Sequence, residues 1–247
     1  MKSINSDTAY DYIRERILSG TYLPGSTLIT SQLAEEIGVS RTPVRDALRQ
    51  LEADGLVVIR AHFGANVRTV TFQEFRDLCG MRLALESYAA RFAAANRSSE
   101  ELQEMRQALE AMKSCTEKIG GSQDADLQAD LVREDIRFHI AILTAARNGL
   151  IRQEILRLHL VNRIVSARSA AMMTPVDREE SAANRREVLA EHAAIYQAIA
   201  DRDAEGAQRA MDRHIQKLID KQIALRERME NAPRRRKLTE EEMIYST

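Results

Sequence analysis

The sequence contains no tryptophan, few other aromatic residues, and little glycine or proline. Only 4% of its 247 residues are aromatic, and it has 10 glycines and 4 prolines. β-Sandwiches and β-barrels need more aromatic, β-branched and turn-forming residues than this. The residues that are abundant instead, Ala, Leu, Arg, Glu and Gln, favour helices. The composition therefore predicts a mostly helical protein.

Cysteines and long apolar runs are also scarce. The two cysteines, Cys79 and Cys115, lie far apart without the pair spacing of a metal site, which indicates a reduced protein rather than a disulfide scaffold. No apolar run approaches the roughly 18 residues that span a bilayer. The N-terminus lacks the apolar core of a secretory signal. We therefore expect a cytoplasmic protein.

Neither sign of charge is in excess, because 36 basic and 37 acidic side chains leave a formal net charge of −1. Net charge thus provides no basic signature of nucleic-acid binding. The length predicts one or two domains. The sequence changes character near residue 70, where short helix and strand patterns are replaced by long helical ones.

Before residue 70, apolar spacing predicts three short helices, each followed by a glycine. They cover residues 8–19, 31–37 and 41–54. Thr30 and Ser40 are the predicted N-caps of the second and third helices. Two short runs rich in valine then predict a hairpin with strands at 56–60 and 65–70. Three small helices followed by a hairpin indicate a winged helix-turn-helix.

The third predicted helix has a basic face. Arg41, Arg45 and Arg49 recur every fourth residue, offset from the apolar stripe, and arginine at such a position can bond bidentately to guanine in the major groove. The alternative is a merely solvated face. The helix follows a tight turn and precedes a hairpin, which favours DNA reading. The candidate DNA contacts are Arg41, Thr42, Arg45, Arg49, His62 and Gly64.

Three stretches of this region carry a family pattern. They are Gly20–Gly25 (GTYLPG), Leu33–Leu48 (LAEEIGVSRTPVRDAL) and Leu51–Val57 (LEADGLV). Together they closely resemble the DNA-binding domain of GntR-family bacterial transcription regulators, over about residues 8–70. The resemblance implies that Arg41, Thr42, Arg45 and Gly64 occupy positions that contact operator DNA.

After residue 70, six long helices are predicted, which should form an antiparallel bundle. They cover residues 72–96, 99–119, 123–147, 149–172, 178–200 and 203–229. We expect a winged domain over residues 1–70, a helical domain over 71–230 and a disordered tail over 231–247. The basic run in that tail, residues 234–237, is either solvated or in contact with DNA phosphates.

Three histidines of the helical part lie on bundle-facing stripes. Asp135 and His139 share one helix face, and His192 and His214 lie on apolar faces of two later helices. Three inward imidazoles and a carboxylate suit a divalent cation such as Zn²⁺, Ni²⁺ or Mn²⁺. Alternatively, each could be an ordinary core histidine or part of a surface pair, which is the interpretation favoured for His159.

The pattern of this second part resembles the FadR subgroup with its FCD ligand-binding domain, in the shorter VanR-type branch, over about residues 72–229. The resemblance implies that Asp135, His139, His192 and His214 match all four positions of the metal site found in many members. It also implies a protein that is most often a repressor. A dimer is expected because one small module makes too few contacts for tight, specific binding.

Arg82 faces inward among apolar residues of the first bundle helix. A buried guanidinium needs a partner. That partner is either Glu86, one turn later, or the carboxylate of an effector held beside the cation. Asn162 could add a polar contact. The expected effector is a small organic acid or sugar acid.

The sequence therefore predicts a dimeric, metabolite-responsive transcription regulator that binds operator DNA. Two alternatives stay open. One is a metalloenzyme that uses Asp135 and the three histidines, although no His-Glu-x-x-His or repeated Glu-x-x-His pattern accompanies them. The other is a regulator that binds an acidic ligand without a metal.

Overall fold

The computed structural model describes the backbone of residues 4–60, 64–119, 125–170 and 175–231. Side chains are described for these residues except at 4–5, 125, 162–170, 175–183, 225–226 and 229–231. All but the first residue of the predicted tail, 231–247, lies outside the described residues. The prediction of a mostly helical fold is confirmed.

The described segments contain helices α1 to α9 and strands β1 to β3. Their order is α1 Ile4–Leu18, β1 Thr27–Leu28, α2 Thr30–Ile37, α3 Arg41–Ala53, β2 Val57–Arg60, β3 Gly64–Val67, α4 Phe72–Asn96, α5 Ser99–Ile119, α6 Ala125–Ala145, α7 Gly149–Ala170, α8 Pro175–Ala200 and α9 Ala204–Asn231. No described helix is long and apolar enough to cross a membrane.

The winged-helix part, residues 4–67, packs α1, α2 and α3 against a small antiparallel sheet. The strands lie in the order β1-β3-β2, and β3 pairs Asn66 with Thr27 on one side and Val67 with Val57 on the other. Ile13, Leu51 and other apolar side chains from all three helices form its buried core. The burial of one apolar face on each helix therefore aims the opposite face of α3 at solvent.

Several predicted boundaries of the winged-helix part are wrong. Strand β3, the second strand of the predicted hairpin, ends at Val67 rather than at residue 70, and α1 begins at Ile4 rather than at residue 8. Thr30 is the first residue of α2 and not its N-cap. The cap is Ile29, whose carbonyl accepts the first helical hydrogen bond, from Leu33 N–H, at 3.0 Å. Ser40 does precede α3, but its side chain makes no capping hydrogen bond.

Helices α4 to α9 form the bundle, with α4 in contact with α6, α7, α8 and α9. Large buried side chains such as Phe75, Met105 and Phe138 fill its core. Two arginines join the ends of two helices. Arg97, at the end of α4, donates from Nε to the Ile199 carbonyl of α8 at 3.1 Å, and Arg202 donates from Nη1 to the Ala95 carbonyl of α4 at 2.9 Å.

We predict that Gly64→Ala destabilises the protein more than Gly38→Ala does. Both glycines have positive φ angles, +112° and +75°, so both substitutions introduce backbone strain. A Cβ at Gly64 would also lie 2.1 Å from the Leu28 carbonyl oxygen, whereas nothing lies within 4 Å of one at Gly38. Urea unfolding should show a loss of about 1 kcal/mol at Gly38 and at least about 2 kcal/mol at Gly64. Equal losses would contradict the steric argument.

Candidate functional site

The exposed face of α3 carries the basic side chains that the sequence predicts there. Arg41, Thr42, Arg45 and Arg49 are exposed, while Val44 and other apolar residues of the same helix are buried. The helical period thus separates the core face from the basic face within 13 residues. Arg49 lies 3.4 Å from Asp46, but both side chains are largely exposed, so this ion pair holds Arg49 only weakly.

A groove of about 410 Å³ runs between α3, the start of α2 and the wing. Arg41, Arg45 and Arg49 line one side of it, and Arg60 at the end of β2 lines the other. Sequence reasoning missed Arg60, because a single arginine ending a short strand has no periodic pattern. Four guanidinium groups around one groove suit an anionic, phosphate-bearing partner.

The wing contributes Gly64 to the same groove. The close approach of its backbone to the Leu28 carbonyl explains the need for glycine at this position without any appeal to DNA. His62 lies outside the described residues, so its predicted role stays a prediction.

In the bundle, the structure brings together the three histidines singled out in the sequence. His139 of α6, His192 of α8 and His214 of α9 are all buried, and one ring nitrogen of each lies within 4.8 Å of the others. Asp135, one turn before His139, places Oδ1 3.0 Å from His192 Nε2. The apolar stripe on each helix explains the convergence, because each histidine replaces one core residue.

Each of the three imidazoles has a partner on its Nδ1 atom. His192 Nδ1 lies 2.8 Å from the Val188 carbonyl oxygen one turn earlier. His214 Nδ1 lies 2.9 Å from Glu191 Oε2, and His139 Nδ1 lies 3.1 Å from Glu86 Oε2. A carbonyl or carboxylate oxygen can only accept a hydrogen bond, so Nδ1 of His192 and Nδ1 of His214 carry the proton. In their neutral forms, these two rings therefore have the lone pair on Nε2. The contact of His139 with Glu86 is an ion-pair contact, and Glu86 Oε2 is buried without a hydrogen bond among the described residues.

The Nε2 atoms of the three histidines face one another. His192 Nε2 lies 3.3 Å from His139 Nε2 as well as 3.0 Å from Asp135, and His214 Nε2 is buried without a hydrogen bond. Two acceptors at such distances repel unless a proton or a cation lies between them. Two nitrogens bound to one tetrahedral zinc ion lie about 3.4 Å apart. The donor set therefore fits a divalent cation, with partners on Nδ1 of the kind that orient metal-binding histidines.

The pKa values in this cluster respond to burial and to the neighbouring charges. Partial burial would raise the pKa of Asp135, but the contact with His192 and the positive charge of the imidazoles when they are protonated hold that pKa well below its usual range. Burial opposes protonation of His139, and the Glu86 carboxylate more than compensates, so the pKa of His139 is raised. Burial, together with His192 and His139, lowers the pKa of His214 to about 4. His214 is therefore neutral at pH 7.

Two ranges of the sequence match families of known proteins. Residues 77–217, more than half of the chain, match the FCD domain, and residues 5–67 match the bacterial regulatory proteins of the gntR family. The chain belongs to the GntR family. The Escherichia coli (strain K12) Uxu operon transcriptional regulator is 30% identical over 221 residues, which are 83% of this chain and 81% of that protein.

A second relative of this GntR-family chain is the galactonate operon transcriptional repressor of E. coli (strain K12), 27% identical over 79% of this chain and 87% of that protein. Among solved structures, E. coli McbR/YncC has the same fold, with a TM-score of 0.73 at 22% identity over 93% of this chain and 100% of that chain. These families and relatives are DNA-binding transcription regulators and not enzymes, so the metalloenzyme alternative is set aside.

Arg82 of the GntR-family chain is buried and pairs with Glu86. Its Nε donates to Glu86 Oε1 at 2.9 Å, so the structure contains the intramolecular salt bridge that the sequence left as one of two alternatives. Burial would raise the pKa of Glu86, but Arg82 and the nearby histidines hold it well below its usual range. Arg82 as an effector contact stays a prediction, and the side chain of Asn162 lies outside the described residues.

His159 lies beside the cluster, although its sequence position gave no reason to include it. Its Nε2 is 3.4 Å from Glu86 Oε1, and its ring centroid is 5.9 Å from that of His139. With a side chain only 20% exposed, it is not a surface histidine. Glu86 and Glu191 were also missed as partners of the histidines, because partners 53 and 23 residues away leave no local pattern.

Of the four candidate ligands, Asp135 is the exposed one. The side chain of Asp135 is 39% exposed, whereas those of His139, His192 and His214 are at most 5% exposed. A pocket of about 200 Å³ reaches Asp135 between α5, α6 and α8. Its polar lining includes Thr116, Asn184 and Arg185, and the rest is mostly apolar.

Proposed function

We propose that this GntR-family chain is a metabolite-responsive repressor that reads operator DNA with α3 and holds a divalent cation in the bundle. The convergence of three Nε2 atoms carries the cation proposal, because no described protein group satisfies the buried His214 Nε2. Asp135, His139, His192 and His214 would bind Zn²⁺, Ni²⁺ or Mn²⁺. Such a cation would supply positive charge. With four protein ligands, it would have a position for a further ligand only when it is five- or six-coordinate.

We predict that the chelator-stripped protein binds about one Zn²⁺ per chain, and that His214→Ala or His192→Ala weakens binding at least about tenfold. Each substitution removes one nitrogen from the proposed site. Isothermal titration with ZnCl₂ measures both affinity and stoichiometry. His159→Gln is the matched control, because the His159 ring lies outside the proposed ligand set. The zinc affinity of this variant should stay near that of the wild type.

The same titration has an expected pH dependence. Because the pKa of His139 is raised, a proton competes with the cation for its Nε2 already at pH values above the ordinary histidine pKa of about 6.5. Zinc affinity should therefore fall as the pH is lowered from 8 to 6, by up to about tenfold per pH unit for one competing proton. His214, with a pKa of about 4, should add no competition in that range.

Full zinc occupancy in His214→Ala would remove the ligand assignment. A wild-type protein that binds no cation would favour the metal-free regulator.

The arginine-lined groove supports a model in which the N-terminal half of α3 enters the major groove of operator DNA. Arg41 and Arg45 lie in the first two turns of the helix and would contact base edges, and Arg49 and Arg60, which also line the groove, would contact phosphates. Thr42, His62 and Gly64 are the remaining proposed contacts.

We predict that Arg45→Ala weakens binding to a duplex selected from a random library by about 1–3 kcal/mol and relaxes base preference at one position. The reason is the loss of a bidentate donor. Fluorescence anisotropy at fixed salt measures the affinity. Arg106→Ala, an exposed arginine of α5, removes the same charge from the bundle and should leave the affinity near that of the wild type. Equal effects of the two substitutions would contradict the assignment of α3.

A dimer is part of this proposal, because one small module makes too few contacts for tight, specific binding. An exposed apolar face of α4 supports it. Met81, Tyr88 and Phe92 are 36–43% exposed on this helix, and the rings of Tyr88 and Phe92 stack at 4.3 Å. We propose that a second copy of the chain covers this face. The mass of the DNA complex should correspond to two chains per duplex.

We further propose a small organic acid or sugar acid as the effector. The pocket at Asp135 supports this choice, since an acid placed there could reach both the cation and Arg185. Arg82 and Asn162 are further candidate contacts. The name of one relative refers to galactonate, itself a sugar acid. We propose the two domains as residues 1–70 and 71–230, with the effector acting from the second on the first.

We predict that one or more sugar acids raise the melting temperature of the zinc-loaded protein, and that Arg185→Gln reduces the shift. The loss of a guanidinium should weaken carboxylate binding at least about fivefold. Differential scanning fluorimetry with a panel of aldonic and uronic acids, each paired with its neutral sugar, provides the measurement. Shifts that are equal for acids and neutral sugars would contradict an acid-binding pocket.

A further inference from the structure

The Glu86 carboxylate is the meeting point of three helices. Buried on α4, it lies 2.9 Å from Arg82 Nε on the same helix, 3.1 Å from His139 Nδ1 on α6 and 3.4 Å from His159 Nε2 on α7. Arg82 and His159 approach the same oxygen, Oε1, while His139 approaches Oε2. A displacement of this one carboxylate therefore changes contacts on both α6 and α7.

Helix α7 also contacts the winged-helix part. Leu160 packs against the core of that part, and α7 touches α1. Gly55, two residues beyond the end of α3, faces Arg157 and Val161. A Cβ placed on it would lie 3.4 Å from Arg157 Nη1 and 3.5 Å from Val161 Cγ2. The five residues 157–161 of α7 thus contact both regions. His159 faces Glu86, whereas Arg157 and Val161 face the end of α3, the proposed recognition helix.

The contact between Glu86 and His159 is loose. At 3.4 Å it is longer than a good hydrogen bond, and His159 Nε2 is buried with no hydrogen bond among the described residues. A buried nitrogen in this state gains free energy when the contact tightens into a hydrogen bond. The contact therefore has room to change length when Glu86 moves.

We propose that Glu86 and His159 couple the cation site to the recognition helix, with His159 as a positioning residue that acts through α7. The inference rests on the proposed cation site. When His139 Nε2 is bound to a cation, its Nδ1–H becomes a stronger donor and draws Glu86 Oε2 towards it. Glu86 Oε1 then changes its distance from His159, and α7 shifts its packing through Leu160 and Val161 against the end of α3.

The test measures zinc affinity and zinc response separately in the full-length protein. Zinc affinity comes from calorimetry. The response is the change on ZnCl₂ addition in amide exchange of residues 41–55 and in affinity for the selected duplex. In the wild type, we expect zinc to change DNA affinity at least about fivefold and to alter exchange in that segment. In His159→Phe, zinc should bind within about threefold of the wild-type affinity, but the DNA response should fall below about twofold.

Three further variants sharpen the comparison. His159→Gln, whose amide can donate to Glu86 in place of Nε2, should keep part of the response. Val161→Ala should weaken the response from the opposite side of α7 without changing zinc affinity. Gln153→Ala, exposed on the same helix, should keep the full response.

Each unfavourable outcome identifies what has failed. A full zinc response in His159→Phe would overturn the coupling role. It would also be overturned if zinc left the amide exchange of residues 41–55 unchanged in the wild type. Loss of zinc binding in His159→Phe would also overturn it, because His159 would then belong to the cation site itself. Absence of zinc binding in the wild type would instead remove the proposed cation site on which the coupling depends.

Discussion

The bundle depends on the satisfaction of three buried imidazoles. A buried polar atom without a partner costs about 1–3 kcal/mol, and three histidines bring six ring nitrogens into the core. Val188 and Glu191 accept from Nδ1 of His192 and of His214, and Glu86 lies 3.1 Å from Nδ1 of His139, which aims the three Nε2 atoms at one point. Under the proposed function, the remaining cost is relieved by a cation, so ligand binding and bundle stability become one equilibrium.

The two candidate sites differ in how they obtain their specificity. On α3, arginines stand in solvent, where their charges are screened and their side chains retain their freedom until a partner orders them. In the bundle, the rings are held before any ligand arrives, and their geometry is fixed by helices packed around them. The first arrangement suits scanning of many similar sequences, and the second suits selection of one kind of ligand.

Periodicity explains how much could be predicted from the sequence. The spacing of a residue from the apolar stripe of its helix is enough to assign the face on which it lies. This rule places Arg41 and Arg45 off the apolar stripe of their helix, and His192 and His214 on the apolar stripes of theirs. Net charge would have missed the DNA-binding part, because residues 1–70 contain eight basic and eight acidic side chains. Their arrangement on α3 carries the information.

What escaped prediction depends on distant or very short elements. Strand β1 has two residues, too few for an alternating pattern, and its position depends on pairing with β3. Glu86 and His159 meet only because α4 and α7 pack together, and a pair separated by 73 positions leaves no trace in local spacing. Thr30 is the first residue of α2 because the carbonyl of Ile29, one residue earlier, already accepts the first helical hydrogen bond.

The reciprocal arginine contacts at the ends of α4 and α8 restrict how the bundle can deform. Arg97 and Arg202 hold the C-terminal end of α8 to α4 through backbone carbonyls, so α8 cannot slide along α4. The pocket residues Asn184 and Arg185 lie about 15 residues earlier on α8, roughly 22 Å from that joint. The same stretch of α8 is tied to α9, because Lys221 Nζ donates to Asn184 Oδ1 and Lys217 Nζ donates to Glu187 Oε1 at 2.7 Å. A ligand seated beside Asn184 would therefore have to displace α8 and α9 together, and these are the helices that carry His192 and His214.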